Sequence, residues 1–384
     1  MIYLDYAATT KLSERALRAM LPFLRDQYAN PSSSYRFSDA VREKMSETRK
    51  ILADALGAKQ NEIYFTSGGT ESDNWALKEV MEQQKKRGKN HLITTQIEHH
   101  AVLHSCQWLE NNDCEVTYLP LERDGIVRAE QVERAIRPNT ALISVMAANN
   151  EIGTLQPLKE IGKIAKQQGI LFHTDAVQAF GHIPISVEDC NLSLLSASAH
   201  KFHGPKGIGF LYVRENVELP SFLHGGGQEG GKRSGTENTA AIVGMGAAAA
   251  EMLEQQAERA KKEQALRDYL IESIQARIPY TKLNGDRKQR LPNNVNVSIS
   301  FVEGEVVVLL MGMRGICVSA GSACSAGSAG ASHVLRAIGL SEEEAHNALR
   351  LTLGAETTKQ EIDETVEALS EIVSFLRGQS PMVY

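Results

Sequence analysis

The stretch Ser196–Val213, SASAHKFHGPKGIGFLYV, sets a lysine in a dense polar cluster and follows it with a glycine-rich turn and a run of β-forming residues. Lysines normally project into solvent, so a lone one carries little message. Lys201 is crowded by Ser196, Ser198, His200 and His203. Just upstream, ILFHTDAVQAFG (Ile170–Gly181) places Asp175 beyond a strand-like run, with Gln178 three residues on. Taken singly, Asp175 reads best as a helix N-cap. In an open α/β sheet, however, ligands sit at the carboxyl ends of strands.

Further outward, TSGGTESDN (Thr66–Asn74) joins a strand to a helix. Gly68 and Gly69 let the backbone approach a ligand, Thr70 offers a hydroxyl, and the helix N-terminus presents N–H groups to an anion. This is a phosphate cradle in type, though neither a Walker A loop nor a dinucleotide fingerprint; alone it reads equally well as a plain strand–helix turn. Cradle, strand-end acid and Ser-x-His-Lys together are what pyridoxal phosphate requires. That cofactor needs an amine for its Schiff base, a carboxylate to keep its ring nitrogen protonated, and donors for its phosphate.

Strand-like runs (NEIYFTSGG, HLITTQ, CEVTYLPL, TALISVMAA, GILFHTDA, LSLLSAS, GIGFLYV) alternate with helical patterns such as Ser72–Arg87, Ala101–Asn111 and Leu158–Gln168. The alternation predicts an α/β layer architecture with a largely parallel sheet. A long Ala/Glu/Lys/Arg/Leu stretch beginning at ENTAAIVGMG predicts one extended helix or two nearly continuous ones. NNVNVSIS, EVVVLLMGMRGICVS, a helix from about His333, ALRLTLG and a final helix ending near Arg377 then form a compact α+β unit.

The 384 residues exceed one typical domain. A net charge of −6 argues against a protein that binds nucleic acid by neutralising phosphates, and basic runs such as Lys85-Lys86-Arg87 read as solvated helix faces. Cys106, Cys114, Cys190, Cys317 and Cys324 form no C-x-x-C pair, so neither a disulfide framework nor a zinc site is expected, and Cys317 reads as a small core residue. MIYLDYAATT has no basic n-region or apolar leader, and no run nears the ~20 apolar residues of a spanning helix. The expectation is a soluble, cytoplasmic protein without metal, membrane or direct nucleic-acid contact.

With YLDYAATT, NPSS (Asn30–Ser33), FTSGGTESDN, TTQIEHHAV, NNEIGTLQP, HTDAVQAFG, SAHKFHGPKG, GGGQEGGKRSGTEN, GSACSAGS and LRLTLG in this order, the chain resembles the cysteine desulfurases of the class V aminotransferase family over essentially its full length. The likeness is to their long-loop, group I branch. It implies PLP fold type I, aspartate-aminotransferase-like: a large α/β domain with a mainly parallel sheet plus a smaller α+β domain. The boundaries expected are an arm at 1–14 joining the small domain, a large cofactor-binding domain at 15–258, and a small domain at 259–384 carrying a mobile cysteine loop at about 319–332.

The resemblance also implies roles. Lys201 is the Schiff-base lysine and the base for the substrate's α-proton. Asp175 faces the ring nitrogen, Gln178 the phenolic oxygen, and His99 stacks on the ring and assists proton transfer, while His100 is structural. Gly69, Thr70, Ser198 and His200 hold the phosphate, and Thr236 reaches the phosphate of a second subunit, implying a homodimer. Asn150 and Arg350 orient L-cysteine, Arg350 by gripping its carboxylate as a fork. Two positions depart from the family pattern: Tyr35 and Ser38 stand where His and Gly are usual.

Within this frame SAGSACSAGSAGAS (Ser319–Ser332) acquires a purpose. Cys324, as thiolate, would take the substrate sulfur and become a persulfide, leaving L-alanine. A thiol that must then meet an acceptor outside the pocket suits a Gly/Ser/Ala coil. The acceptor expected is an iron–sulfur scaffold or a tRNA-thiolation enzyme; the chain ends at LRGQSPMVY, short of the tail with which housekeeping relatives dock a scaffold, which keeps the second in view. The competing readings are a selenocysteine lyase or other pyridoxal-phosphate C–S lyase, and a catalytically idle adaptor in a sulfur-transfer complex.

Overall fold

The computed structural model describes residues 1–321 and 331–379; Cys324 and most of the serine/alanine/glycine segment lie outside the described residues. In chain order the strands are β1 (Ile2–Tyr3), β2 (Ile63–Thr66), β3 (His91–Thr95), β4 (Glu115–Leu119), β5 (Thr140–Ser144), β6 (Leu171–Asp175), β7 (Leu194–Ser198), β8 (Gly209–Val213), β9 (Thr281–Leu283), β10 (Asn294–Ile299), β11 (Ile316–Cys317), β12 (Ser319–Ala320) and β13 (Ala348–Thr352).

A seven-stranded sheet runs β2-β8-β7-β6-β5-β3-β4. Strands β7, β6, β5, β3 and β4 pair in parallel. β8 is antiparallel to both of its neighbours. The exception has a simple cause: a parallel pair needs a crossover of a dozen or more residues, and the link from β7 to β8 is too short for one. That short link carries Lys201. TALIS, LLSAS and GFLYV are buried at every position, so these strands read as continuous rather than alternating apolar runs. Leu52, Leu56, Ile161 and Met245 belong to one packed layer around the sheet. Trp75, Leu77, Met81, Val102 and Leu109 belong to another.

Beyond it, the helices Thr239–Glu254 and Gln256–Arg277 are separated only at Gln255, the nearly continuous pair that the composition predicts. A four-stranded sheet, β12-β13-β10-β9, then packs with the helices Gly304–Met313 and Lys359–Gln379. Its core contains Leu270, Ile274, Val297, Leu351, Val366 and Leu369 together with Ile2 and Leu4 from the start of the chain. β1 pairs in parallel with β11, at Tyr3 opposite Cys317. Cys317 is only half-buried there, a correction to its reading as a core residue. No described helix is long and apolar enough to cross a membrane.

Candidate active site

Strands β5, β6 and β7 end on the same side of the large sheet, as parallel neighbours must, and the segments leaving them open onto one cavity of about 670 Å³. That is an ordinary size for a small-molecule site at the carboxyl edge of an open sheet. Of the residues singled out from the sequence, Gly69, Thr70, His99, Asn150, Asp175, Gln178, Ser198, His200, Lys201 and Arg350 line it. Thr236 does not; it lines a separate pocket with Arg233, Glu237 and Asn238. Tyr35 and Ser38 are not among the lining residues either. Ser38 Oγ donates to the carbonyls of Ser33 and Tyr35, which ties the NPSS turn to the following helix.

Lys201 is aimed by its turn. Its carbonyl accepts from His182 Nε2 at 3.2 Å. Two residues on, His203 holds φ +64°, a conformation uncommon for a side chain of its size. The strained turn is pinned because His203 N–H donates to Thr10 Oγ1 (2.8 Å) and His203 Nδ1 donates to the Lys11 carbonyl (3.0 Å). Lys201 Nζ donates to the carbonyls of Ala7 (2.5 Å) and Ala8 (2.9 Å), and Gln178 Nε2 donates to the same Ala7 carbonyl (2.9 Å). The YAATT segment thus lies across the cavity. The role of Ala7 and Ala8 could not be read from their small apolar side chains, because they work through backbone oxygens.

Asp175 is 5 % exposed, and its Oδ1 accepts from Val177 N–H at 2.8 Å. A turn and no helix follows it, so Asp175 is not the helix N-cap that its sequence position suggested but a turn acceptor and a cavity carboxylate. Burial pushes its pKa upward, partly countered by the Val177 N–H and the Lys201 charge. Beneath it lies a polar layer that sequence reasoning missed. His173 bridges Ser144 (2.8 Å from Nδ1) and Ser196 (3.0 Å from Nε2), and Asp73 Oδ1 sits 3.6 Å from His173 Nε2. Asp73 is 1 % exposed and lines the cavity, and its Oδ1 has no hydrogen-bond partner among the described residues. Burial and the neighbouring Asp175 push its pKa well upward.

The helix Gly69–Lys85 starts at the cavity. A Cβ on Gly69 would lie 2.5 Å from Val177 Cγ2, so only glycine lets this helix start close against the Asp175 turn. A Cβ on Gly209 would lie 2.4 Å from the Ala197 carbonyl oxygen and 2.7 Å from Gly68 Cα. His200 Nδ1 hydrogen-bonds Thr9 Oγ1 at 3.1 Å, and burial together with Lys201 lowers its pKa to about 4. His99 caps the helix His100–Glu110, its Nδ1 accepting from Ala101 N–H at 3.1 Å, which leaves the ring proton on Nε2. Burial, Lys201, His100 and His104 bring its pKa down to about 4, so the ring is neutral. His100 stays out of the cavity, stacked on His104 and tilted against His333.

The residues fit pyridoxal phosphate. Two buried acid groups with raised pKa values are what a protonated ring nitrogen relieves, a helix N-terminus starts at the cavity to meet a phosphate, and the half-buried Lys201 amine lines the same cavity. The Aminotransferase class-V family profile matches residues 2–365. The chain belongs to the class V aminotransferase family. Its relatives include a cysteine desulfurase IscS of Clostridium botulinum, 51 % identical over 383 residues and covering 99 % of this chain and 96 % of the relative. Another, from Methanosarcina thermophila, is 50 % identical over 381 residues, covering 99 % and 94 %. Among solved structures, a NifS-like protein superposes with a TM-score of 0.91 at 38 % identity, over 97 % of this chain and 99 % of that one. SspA in complex with cysteine superposes with a TM-score of 0.83 at 40 % identity, over 93 % and 100 %. This class V member has the PLP fold type I architecture and is a pyridoxal-phosphate-dependent enzyme of the cysteine desulfurase kind.

Proposed function

We propose that this enzyme takes the sulfur of L-cysteine, releases L-alanine, and carries the sulfur as a persulfide on Cys324 to an acceptor protein. The observation that carries the reading is the meeting, in one cavity, of the Lys201 amine, the buried Asp175 carboxylate and the glycine-opened helix start at Gly69. Bound pyridoxal phosphate supplies an electron sink that loosens bonds at the substrate's α- and β-carbons. Lys201 is the amine that holds the cofactor and, once freed, the base that takes the substrate's α-proton. Asp175 keeps the proton on the ring nitrogen, with Asp73 and His173 buried behind it.

His99 stands by as a neutral imidazole that offers Nε2–H toward the cavity and can pass a proton. Gly69, Thr70, Ser198 and His200 hold the phosphate, Gln178 holds the phenolic oxygen, and Asn150 and Arg350 hold the amino acid. Cys324 lies outside the described residues, so its part rests on the sequence. The C–S bond of cysteine breaks, an S–S bond forms at Cys324, and the β-carbon takes up a proton. Cysteine plus thiol gives alanine plus persulfide, with no outside oxidant or reductant.

The same reading divides the chain into 1–14, 15–258 and 259–384, in keeping with a second core that draws in Ile2 and Leu4. Thr236, in its separate pocket, is left to serve a partner subunit of a homodimer. The acceptor is an iron–sulfur scaffold or a tRNA-thiolation enzyme, and the compartment is the cytoplasm. Mass spectrometry of the holoenzyme after addition of L-cysteine tests the core of this: the peptide bearing Cys324 gains one sulfur while alanine accumulates. Full-rate alanine release from the Cys324→Ser variant would make the enzyme a plain C–S lyase instead.

A further inference from the structure

Arg350 enters the cavity from β13 with only 2 % of its surface exposed. Its Nη1 donates to the Asn150 carbonyl at 3.1 Å. Nη2 donates to Asp5 Oδ1 at 2.9 Å and to Ser319 Oγ at 3.3 Å. Ser319 Oγ itself donates to the same Asp5 oxygen at 2.9 Å. Of the two N–H groups left over, that of Nε is buried with no partner among the described residues. An unpartnered N–H on a buried cation is costly unless something arrives to accept from it.

Asp5 is no drifting counter-ion. Its backbone bridges in parallel to Thr352, two residues beyond Arg350. Leu4 on one side donates to the Cys317 carbonyl (2.9 Å) and accepts from Thr352 N–H (2.7 Å). On the other side, Ala7 N–H donates to Thr352 Oγ1 at 2.9 Å. The carboxylate therefore stands on the same strand network as the guanidinium it meets, and both line the cavity.

We propose that Asp5 is a positioning residue for substrate recognition: with Ser319 it locks the Nη2 end of Arg350 and so fixes the guanidinium that takes an amino acid's α-carboxylate. The proposal rests on the reading of Arg350 as the carboxylate site. A long arginine side chain surrenders several rotors when it grips a ligand, and a guanidinium fixed beforehand has less freedom left to lose on binding. Asp5 also tempers the positive charge of a cavity that holds Lys201 and Arg350, so its effect on affinity has two opposed parts. Removing its charge while keeping its shape separates them. If fixing the arginine is what matters, cysteine binds less well; if the charge merely competes with the substrate, cysteine binds better.

The test is steady-state kinetics of the full-length holoenzyme with L-cysteine, comparing Asp5→Asn, Arg350→Gln and Ser319→Ala. In Asp5→Asn, KM for L-cysteine is expected to rise about tenfold while kcat stays within about twofold and the cofactor absorbance is unchanged. A change confined to KM is the signature that a general loosening of the fold would not leave. Removal of the Ser319 hydroxyl is expected to raise KM by about twofold to threefold, and it decides the matter alone should Asp5→Asn fail to fold. An unchanged or lowered KM in the folded Asp5 variant, with KM strongly raised in Arg350→Gln, overturns the role of Asp5 alone. An unchanged KM in Arg350→Gln, with cysteamine turned over as well as cysteine, overturns the reading of Arg350 on which it rests.

Discussion

The two ends of the cavity are built on different plans. The Lys201 end draws mainly on residues 68–207, placed by strand ends of one sheet and by the turns and helix starts that follow them, with Ala7 and Ala8 laid across from the start of the chain. The Arg350 end gathers Asp5, Asn150, Ser319 and Arg350, spread across almost the whole chain, and fixes them through β12, β13 and the Asp5–Thr352 bridge. Sheet geometry makes most of the first end; hydrogen bonds between distant segments make the second. The first is therefore the place for chemistry that must stay put, and the second for recognition tuned by its neighbours. The sharpest way to break this contrast is Lys201→Ala. Turnover of L-cysteine is expected to fall by roughly 10⁴-fold or more, because one amine is lost both as cofactor anchor and as base. The cofactor should then wash out on dialysis, which absorbance reads directly. A variant with near-normal turnover would show that the chemistry is not at this end at all.

A smaller effect sharpens the same contrast from within the first end. Gly69 and Val177 touch so closely that the helix start and the Asp175 turn are mechanically one piece. Gly69→Ala is expected to cost about 1–3 kcal/mol through overpacking and to weaken cofactor binding as the Asp175 turn is pushed aside. Denaturant titration and cofactor titration measure the two parts. The double variant Gly69→Ala/Val177→Ala should recover most of both, since it removes the clashing methyl. If it recovers stability but not cofactor affinity, the turn and the cradle are not coupled as described.

This division also explains what could be read in advance. TSGGTESDN, HTDAVQAFG and SASAHKFHGPKG each combine a strand end, a turn and a chemical group within about ten residues, so local pattern exposed them. Arg350 could be named only by resemblance, and Asp5 not at all. Its partner lies 345 residues away, and YLDYAATT contains nothing locally unusual. Asp73 escaped for a different reason: on a helix it looks like an ordinary exposed acid, and only the fold turns it inward toward His173. The β7–β8 link was legible as a turn, but that its shortness reverses β8 relative to β7 follows from geometry that composition does not encode.

A buried acid next to His99 gives an effect on stability alone, spread over a range of pH. Glu98 is fully buried beside His99, its Oε1 accepting from Thr95 Oγ1 (2.7 Å) and Met146 N–H (3.0 Å) while Oε2 has no partner among the described residues. Burial raises its pKa to about 8, against a usual 4.5. Between those values the folded chain keeps a proton that the unfolded chain has lost. Stability must therefore fall as pH rises through that window, by up to about 1.4 kcal/mol per pH unit from this group. Glu98→Gln keeps the acceptor and removes the titration. Whatever fixed cost the amide brings, the stability of the variant relative to the parent should improve steadily from pH 5 to pH 8 and then level off, as read by urea unfolding at each pH. Parallel curves would mean that Glu98 is ionised in the folded protein, and then a buried negative charge would stand next to His99, whose pKa would rise and whose neutral imidazole would no longer be assured at working pH.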